Sequence, residues 1–395
     1  MKNVILTTTI NLPLFLEDIC KNLNKFKNND TSILVIGDKK TPIQTNSFCK
    51  KLNNKYKIKI EYLDTNFQDK FFKKNYSTIY DLFPFNDAIR RILGLVYLHK
   101  FKPERVIFID DDNYIDKNTD FIKEHSVVNK VVSSRGLYNK NLWPNVYSYL
   151  ATDVPLPVFP RGFPWNFRNL KSFENSFKSF KNKKVLANCG FILEDPDIDA
   201  VSRLFWKIRI KKINTSTKHI YLAPNMYCPF NDQNTCISGE ILTLYFKPLS
   251  AGRNSDIWTS YLINKVASIH SDIISYGSPY AKQYRNIHDN WKDYELEKMH
   301  NISTDYFIKV LNSINFKKNE SYYETFLNLC KLALEKITLM NKEITITGRT
   351  NPRHYQSINE NELKIRKNEC LIYIKNYFIE YKKWLVLLKK FNLVN

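Results

Sequence analysis

A chain of 395 residues that is 43% hydrophobic and 14% aromatic holds enough apolar surface for one large core or two packed units, which excludes a disordered chain. Sixty Lys and Arg against 39 Asp and Glu leave a formal charge of +21, which favours anionic partners such as nucleotide phosphates, nucleic acid or an anionic membrane surface. A solvated lysine surface is the competing account, and no Arg-rich tract or nucleic-acid module supports a nucleic-acid partner.

In chain order, "VILTTT" reads as a first strand rather than a signal peptide, and "LPLFLEDICKNLNKF" carries apolar residues at helical spacing. "SILVIGD" is a strand, "TNSFCKKLNNKY" a helix and "KIKIEYLD" a strand with alternating character. "PFNDAIRRILGLVYLHKF" opens on an Asn/Asp cap and continues as an amphipathic helix into the apolar strand "RVIFID". This alternation predicts an α/β fold, with a parallel sheet and helices on both faces. From about 120 to 290 the pattern is irregular, and the Pro- and aromatic-rich "DVPLPVFPRGFPWNFR" suits active-site loops. Beyond 290, "STDYFIKVLNSINF", "YYETFLNLCKLALEKITLM" and "NECLIYIKNYFIEYKKWLVLLKKF" predict a helical region. The expected division is therefore 1–290 and 291–395. The cationic, amphipathic "YKKWLVLLKK" in that region suits an anionic membrane surface, packing on the preceding domain, or a homo-oligomer contact.

Seven widely spaced cysteines without a CxxC pair indicate neither a disulfide framework nor a zinc knuckle. They point to a reducing compartment. No run approaches the roughly 20 apolar residues of a membrane span. The expected location is cytoplasmic, with peripheral contact at the inner face of a membrane as an option.

The chemistry concentrates where "RVIFID" runs into Asp110, Asp111 and Asp112. In open α/β sheets, ligands bind beyond the carboxyl ends of the strands, and Asp38 lies at a second such end. Crowded carboxylates repel, and a hard divalent cation, Mn²⁺ or Mg²⁺, cancels that repulsion while bridging to phosphates. Asp110 and Asp112 share one face if the strand continues, which makes them the candidate metal pair. Nucleotidyl transfer, glycosyl transfer from a nucleotide-sugar and phosphate hydrolysis all fit. So does a plain acidic turn. Downstream, Asn231, Asp232, Gln233 and Asn234 form a dense polar cluster whose amides suit sugar hydroxyls, with an asparagine turn as the alternative.

Six blocks in order, over about 1–290, resemble the STELLO-type glycosyltransferases. They are "LVIGDKKTP" (34–42), "FPFNDAIRRILGLVYLHKF" leading into "VIFIDDDN" (83–113), "FPRGFPWNFR" (159–168), "CPFNDQNTCIS" (228–238), "GRNSDIWTSYL" (252–262) and "QYRNIHD" (283–289). More distantly, the Asp triplet, "PRGFPW" and "RNSDIW" resemble segments of the reversibly glycosylated polypeptides, which are UDP-arabinopyranose mutases. No counterpart of the membrane anchor of plant STELLO proteins is expected within these 395 residues.

The resemblance implies a GT-A domain: a Rossmann-like, mixed but mostly parallel sheet with flanking helices that binds a nucleotide-sugar, here a UDP-sugar. It implies transfer to a hydroxyl of a glycan or lipid-linked saccharide. Asp38, Asn86, Arg90, Arg91, Asp110 and Asp111 would contact the nucleotide, and Asp112 the metal. His288 would complete the metal shell. Asp256 would be the base that takes the acceptor's proton, with Arg253 and Trp258 beside the substrate. Arg161 would face the diphosphate or sugar, or carry the sugar itself as in the mutases.

Overall fold

The structure, a computed structural model, describes residues 2–169, 174–285, 289–316, 321–340 and 360–394. The N-terminal half follows the alternation expected: β1 (Asn3–Thr8), α1 (Leu16–Lys25), β2 (Thr31–Ile36), α2 (Thr45–Tyr56) and β3 (Ile60–Leu63). Helix α1 forms because Leu16, Ile19, Cys20 and Leu23 recur at helical spacing, and Glu17 and Asp18 complement its N-terminal dipole. Then comes α3 (Thr65–Tyr80), a helix the polar "TNFQDKFFKKNYSTIY" does not announce, kinked at Tyr76 and capped by the Asp64 side chain. α4 (Arg91–His99) leads into β4 (Arg105–Ile109).

The expected amphipathic character of α4 is not observed: every residue from Arg91 to Leu98 is buried. One side lies on the sheet, and on the other Phe67 and Phe71 of α3 pack edge-on against Tyr97. Gly94 permits the close approach, since a Cβ there would stand 2.6 Å from Leu6 Cδ1.

A short β5 (Asn113–Ile115) follows the aspartates, and the segment expected to be irregular carries regular elements among its loops. They begin with α5 (Phe121–His125), β6 (Val131–Tyr138), β7 (Leu150–Thr152) and the 19-residue β8 (Ser176–Glu194). After these come α6 (Ala200–Phe205), β9 (Ile210–Ile213), β10 (His219–Tyr221), β11 (Asn234–Ser238), α7 (Ser255–His270) and β12 (Ile273–Gln283). Alternation was hard to see because β8 begins lysine-rich on a peripheral two-stranded arm with β6, and only from Val185 enters the buried sheet. "FPRGFPWNFR" is loop and a short 3₁₀ turn, as expected.

The main path of the sheet runs β10-β12-β8-β11-β4-β1-β2-β3. It is mixed and mostly parallel: β4, β1, β2 and β3 run together, as do β8 and β12, while β11 is antiparallel to both its neighbours. Period-2 alternation divides the core. Ile5, Ile33 and Ile107 face α1, α2 and α5, whereas Val4, Leu34 and Phe108 face α4, α7 and the C-terminal helices.

Those helices are α8 (Asn290–Asn312), α9 (Tyr322–Met340) and α10 (Glu360–Lys390). Of the uses open to "YKKWLVLLKK", the structure shows packing on the chain's own core: Tyr381, Trp384, Leu385 and Leu388 are buried. Trp384 stacks on Phe246 with centroids 4.8 Å apart and donates to the Thr243 carbonyl at 2.8 Å. Among the described residues, no helix is long and apolar enough to cross a membrane. All seven cysteines are buried free thiols.

Trp384→Ala removes a fully packed indole from this junction. It is expected to cost about 3–5 kcal/mol, read as a lowered urea midpoint with far-UV CD unchanged in water.

Candidate active site

Strand β4 ends at Ile109, so Asp110 to Asp112 form a turn and not the strand continuation expected. The turn is pinned from both sides: the Asp110 amide donates to the Gln233 carbonyl at 3.2 Å, and the Tyr284 amide donates to the Asp112 carbonyl at 3.1 Å. Asp110 and Asp112 nonetheless line one cavity of about 540 Å³, with Arg161, Asp232, Lys247 and Asp256 among its other walls. Asp111 turns away and accepts from the Thr9 hydroxyl at 2.8 Å.

A smaller cavity of about 240 Å³ adjoins it, walled by Asp38, Asn86, Arg90 and Asp111. Asp87, Ala88, Asp110 and Asp112 line both, so the two form one cleft along the carboxyl ends of β1, β2 and β4. Asp38 is committed to backbone: its carboxylate accepts from the amides of Lys39 at 2.6 Å and Asn86 at 2.7 Å. The second bond holds Asn86 in the left-handed region, at φ 59°. Arg90 is buried, donates to the Phe83 carbonyl at 2.7 Å, and lies over the Phe85 ring at 4.0 Å. Both therefore shape the smaller cavity's wall.

Arg91 bridges carboxylates. It bonds Asp110 and the Asp232 carbonyl, and stands 3.2 Å from Asp232 Oδ2. Lys247 Nζ reaches the same Oδ2 at 2.7 Å. Burial opposes the charge on Asp232, yet Lys247 and Arg91 hold its pKa down to about 2. Of the polar cluster around it, Asp232 and Gln233 line the cleft. Asn231 and Asn234 are turned to structural work, contrary to the sugar-binding role expected of them. Asn231 donates to Asp197 Oδ2 at 2.7 Å. Asn234, inside β11, donates to the Pro279 carbonyl at 2.9 Å and meets His125 Nε2 at 3.2 Å.

Asp256 sits in the first turn of α7, after the cap position held by Asn254. Its Oδ2 accepts from Arg161 Nη2 at 3.0 Å. Its Oδ1 is buried and has no partner among the described residues. A buried carboxylate oxygen without a donor is costly. Burial pushes Asp256 up to about 6 despite Arg161, and Asp232 adds to the rise.

Arg161 gives four of its five N–H donors to protein acceptors. Nε bonds Asp197 at 2.8 Å, Nη1 bonds the Arg253 carbonyl and Asn254 Oδ1 at 2.8 Å each, and Nη2 bonds Asp256. Its place is behind Asp256. Arg253 lines the cleft, tied to Glu297 and Asp293 at 3.0 Å each. Trp258, expected beside the acceptor, is instead fully buried, stacked on Phe307 at 4.4 Å and edge-on to Tyr377. Two residues beyond Asp256 on a helix is the opposite face.

Asp112 is pushed up to about 6 by burial first and by Asp110 next, the mark of negative charge with too little compensation. Gln283, the last residue of β12, donates to Asp112 Oδ2 at 3.1 Å, while its buried Oε1 has no partner among the described residues. Carboxylates beside an orphaned amide oxygen are a donor set that fits a hard divalent cation. Arg91 competes for Asp110, and no group of three His, Cys, Asp or Glu side chains among the described residues has metal-holding geometry. His288 lies outside the described residues.

No family model and no curated protein sequence matches the chain. Among solved structures it is similar to S. aureus TarS 1-349, at 14% identity and TM-score 0.32, covering 99% of this chain and 92% of that chain. It is also similar to the mannosyltransferase PcManGT from Pyrobaculum calidifontis in complex with GDP-Man and Mn²⁺, at 8% identity and TM-score 0.37, covering 98% and 87%. Likeness at this level fixes neither an activity nor a residue correspondence.

Arg161→Ala strands Asp197 and Asp256 without their cation and is expected to destabilise the fold by about 3–5 kcal/mol at pH 7.5. Arg161 keeps Asp197 below the usual carboxylate range, so its contribution is present at neutral pH and fades as acid protonates the carboxylates. The measured difference between wild type and variant should therefore persist at pH 5 and shrink only below about pH 4 in denaturant titrations.

Proposed function

We propose that the chain is a glycosyltransferase of GT-A type, within the STELLO-like group, that moves a sugar from a nucleotide-sugar to a hydroxyl of a glycan or lipid-linked saccharide. A UDP-sugar is the first donor to test. One observation carries the reading: a buried carboxylate oxygen without a donor, Asp256 Oδ1, belongs to a side chain walling the same cleft as the aspartates that end β4. On this reading 1–290 are the catalytic part and 291–395 a helical buttress.

The nucleoside would occupy the smaller cavity under Asp38, and the sugar the larger one beside Gln233 and Lys247. A Mn²⁺ or Mg²⁺ held by Asp110 and Asp112, with the Gln283 amide oxygen as a further donor, would neutralise charge on the departing diphosphate. Asp256 Oδ1 would take the acceptor hydroxyl's proton as its oxygen bonds to C1. The C1–oxygen bond to the diphosphate breaks with its electron pair on the diphosphate, and C1 inverts. Asn231, Asp197 and Arg161, bonded in series, hold Asp256 in place. Lys247 supplies fixed positive charge at the sugar end. The mutase alternative is the weaker reading, because four of the five Arg161 N–H groups are already given to protein acceptors.

A thermal-shift screen of UDP-sugars with and without Mn²⁺ should give a Mn²⁺-dependent rise in Tm that Asp112→Ala abolishes. No shift with any nucleotide-sugar would sink the proposal. Stable labelling by radioactive donor without acceptor, lost in Arg161→Ala, would restore the mutase.

Asp256→Asn should lower kcat by roughly 10²–10⁴ while leaving donor affinity unchanged. A base held at about 6 is charged above that pH, so kcat/KM should fall below pH 6 in the wild type. The residual activity of the variant should lack that limb.

A further inference from the structure

A third cavity, of about 580 Å³, continues the cleft on the side away from Asp38. Gln283 and Arg285 wall both it and the central cavity, so the three run in sequence from Asp38, past the aspartate turn, to this outer chamber. We propose that the outer chamber is the acceptor subsite and that its acceptor is an anionic saccharide or polyol, bearing phosphate or carboxylate groups. The inference rests on the glycosyltransferase reading above and names the substrate class for its second half.

Position comes first. A base acting on an acceptor hydroxyl must lie between donor and acceptor, and Asp256 walls the central cavity. Asp197, which shares Arg161 with Asp256, walls the central cavity, and the adjoining Ile198 walls the outer one. An acceptor entering through the outer chamber therefore passes Gln283 and Arg285 into the cavity that Asp256 walls, while the nucleoside cavity lies at the far end.

Charge comes second. The chamber is walled by Arg203, Lys207, Arg209 and Arg285 against Glu194 and Asp195. Asp195 is already spent on Arg203, whose guanidinium also reaches the Ile198 carbonyl, so that cation is fixed in direction. Arg285 is held at 3.0 Å by Asp293, which serves Arg253 as well. Lys207 and Arg209 are exposed. The Arg285 guanidinium thus stands where the two cavities meet, with Arg203, Lys207 and Arg209 further out along the same wall. Such a wall can donate to the hydroxyls of a neutral sugar, but phosphate or carboxylate groups form the stronger, charge-assisted bonds with it.

Shape comes third. Trp206, at the end of α6, is 50% exposed at the chamber wall, and Tyr284, 59% exposed, stands opposite in sequence beside Arg285. Large aromatic faces left to solvent next to cations suit the C–H faces of a sugar whose substituents carry negative charge. These aromatics differ from Trp143 or Trp258, which are spent on the core.

The test uses the full chain and three probes: an oligogalacturonate, a glycerol-phosphate oligomer and neutral maltoheptaose, titrated by calorimetry at low and high NaCl. At least one anionic probe should bind about tenfold or more tightly than maltoheptaose and weaken with salt, and which one binds separates carboxylate from phosphate. Lys207→Glu/Arg209→Glu and, separately, Trp206→Ala should each lower that affinity about tenfold while leaving the UDP-sugar thermal shift of the wild type in place. All three side chains are exposed, so far-UV CD and Tm check that these variants fold. Maltoheptaose binding as tightly as both anions, or affinity retained in the double variant, would overturn the proposal. Anion binding that follows the variants in a protein showing no UDP-sugar shift would overturn the donor reading instead and leave an anionic-saccharide site standing.

Discussion

Six aspartates, at 87, 110, 112, 197, 232 and 256, wall the central cavity, and four of them are tied to three cations. Arg91 joins Asp110 to Asp232, Lys247 adds to Asp232, and Arg161 joins Asp197 to Asp256. Without these bridges the carboxylates would protonate or drive the strand ends apart. With them the balance is still negative, and the excess is not shared evenly. Asp232 and Asp197 are held low, whereas Asp112 and Asp256 are pushed up to about 6. Burial raises Asp110 as well, despite Arg91. The carboxylates pushed up, Asp110, Asp112 and Asp256, are the ones the proposed chemistry uses.

The fold supplies that separation by where its elements stop. β4 halts at Ile109, so the aspartate turn projects beyond the sheet, and the end of β12 brings Gln283 against it. α7 begins where the loop after Gly252 turns inward, which aims its first-turn carboxylate at the cleft and its next turn at the core. The chain thus meets itself from four directions at one point, with backbone amides of Asp110 and Tyr284 fixing the geometry.

Local pattern revealed most of the first 115 residues, because short strands with alternating or fully apolar runs and helices with spaced Leu and Ile carry strong periodic signals. α3 escaped since its sequence is polar and its buried positions are few. β8 escaped since half of it is a lysine-rich arm. Within the site, the aspartate trio and Asp256 were legible as carboxylates at element ends. The orientations of Asn231, Asn234 and Trp258 were not, because a residue's type does not state which way its side chain points. Lys247 had no signal at all: it is one of sixty basic residues. Asp197 lay in "EDPDID", a run that reads as a turn. Gln283 and Arg285 stood inside the block quoted for His288, but only the sheet register places Gln283 beside Asp112.

The C-terminal helix has a bearing on this site that its distance in sequence conceals. Tyr373 and Tyr377 of α10 pack on Trp258, and the Tyr377 hydroxyl meets Thr259 at 3.1 Å, so α10 holds the first turns of the helix that presents Asp256. Its other end reaches Phe83, in the loop that Asp38 ties down through Asn86. One helix thus clamps the bases of both halves of the cleft. The shape of the cleft and the stability of the core are therefore not independent: whatever loosens α10 loosens both ends of the cleft at once.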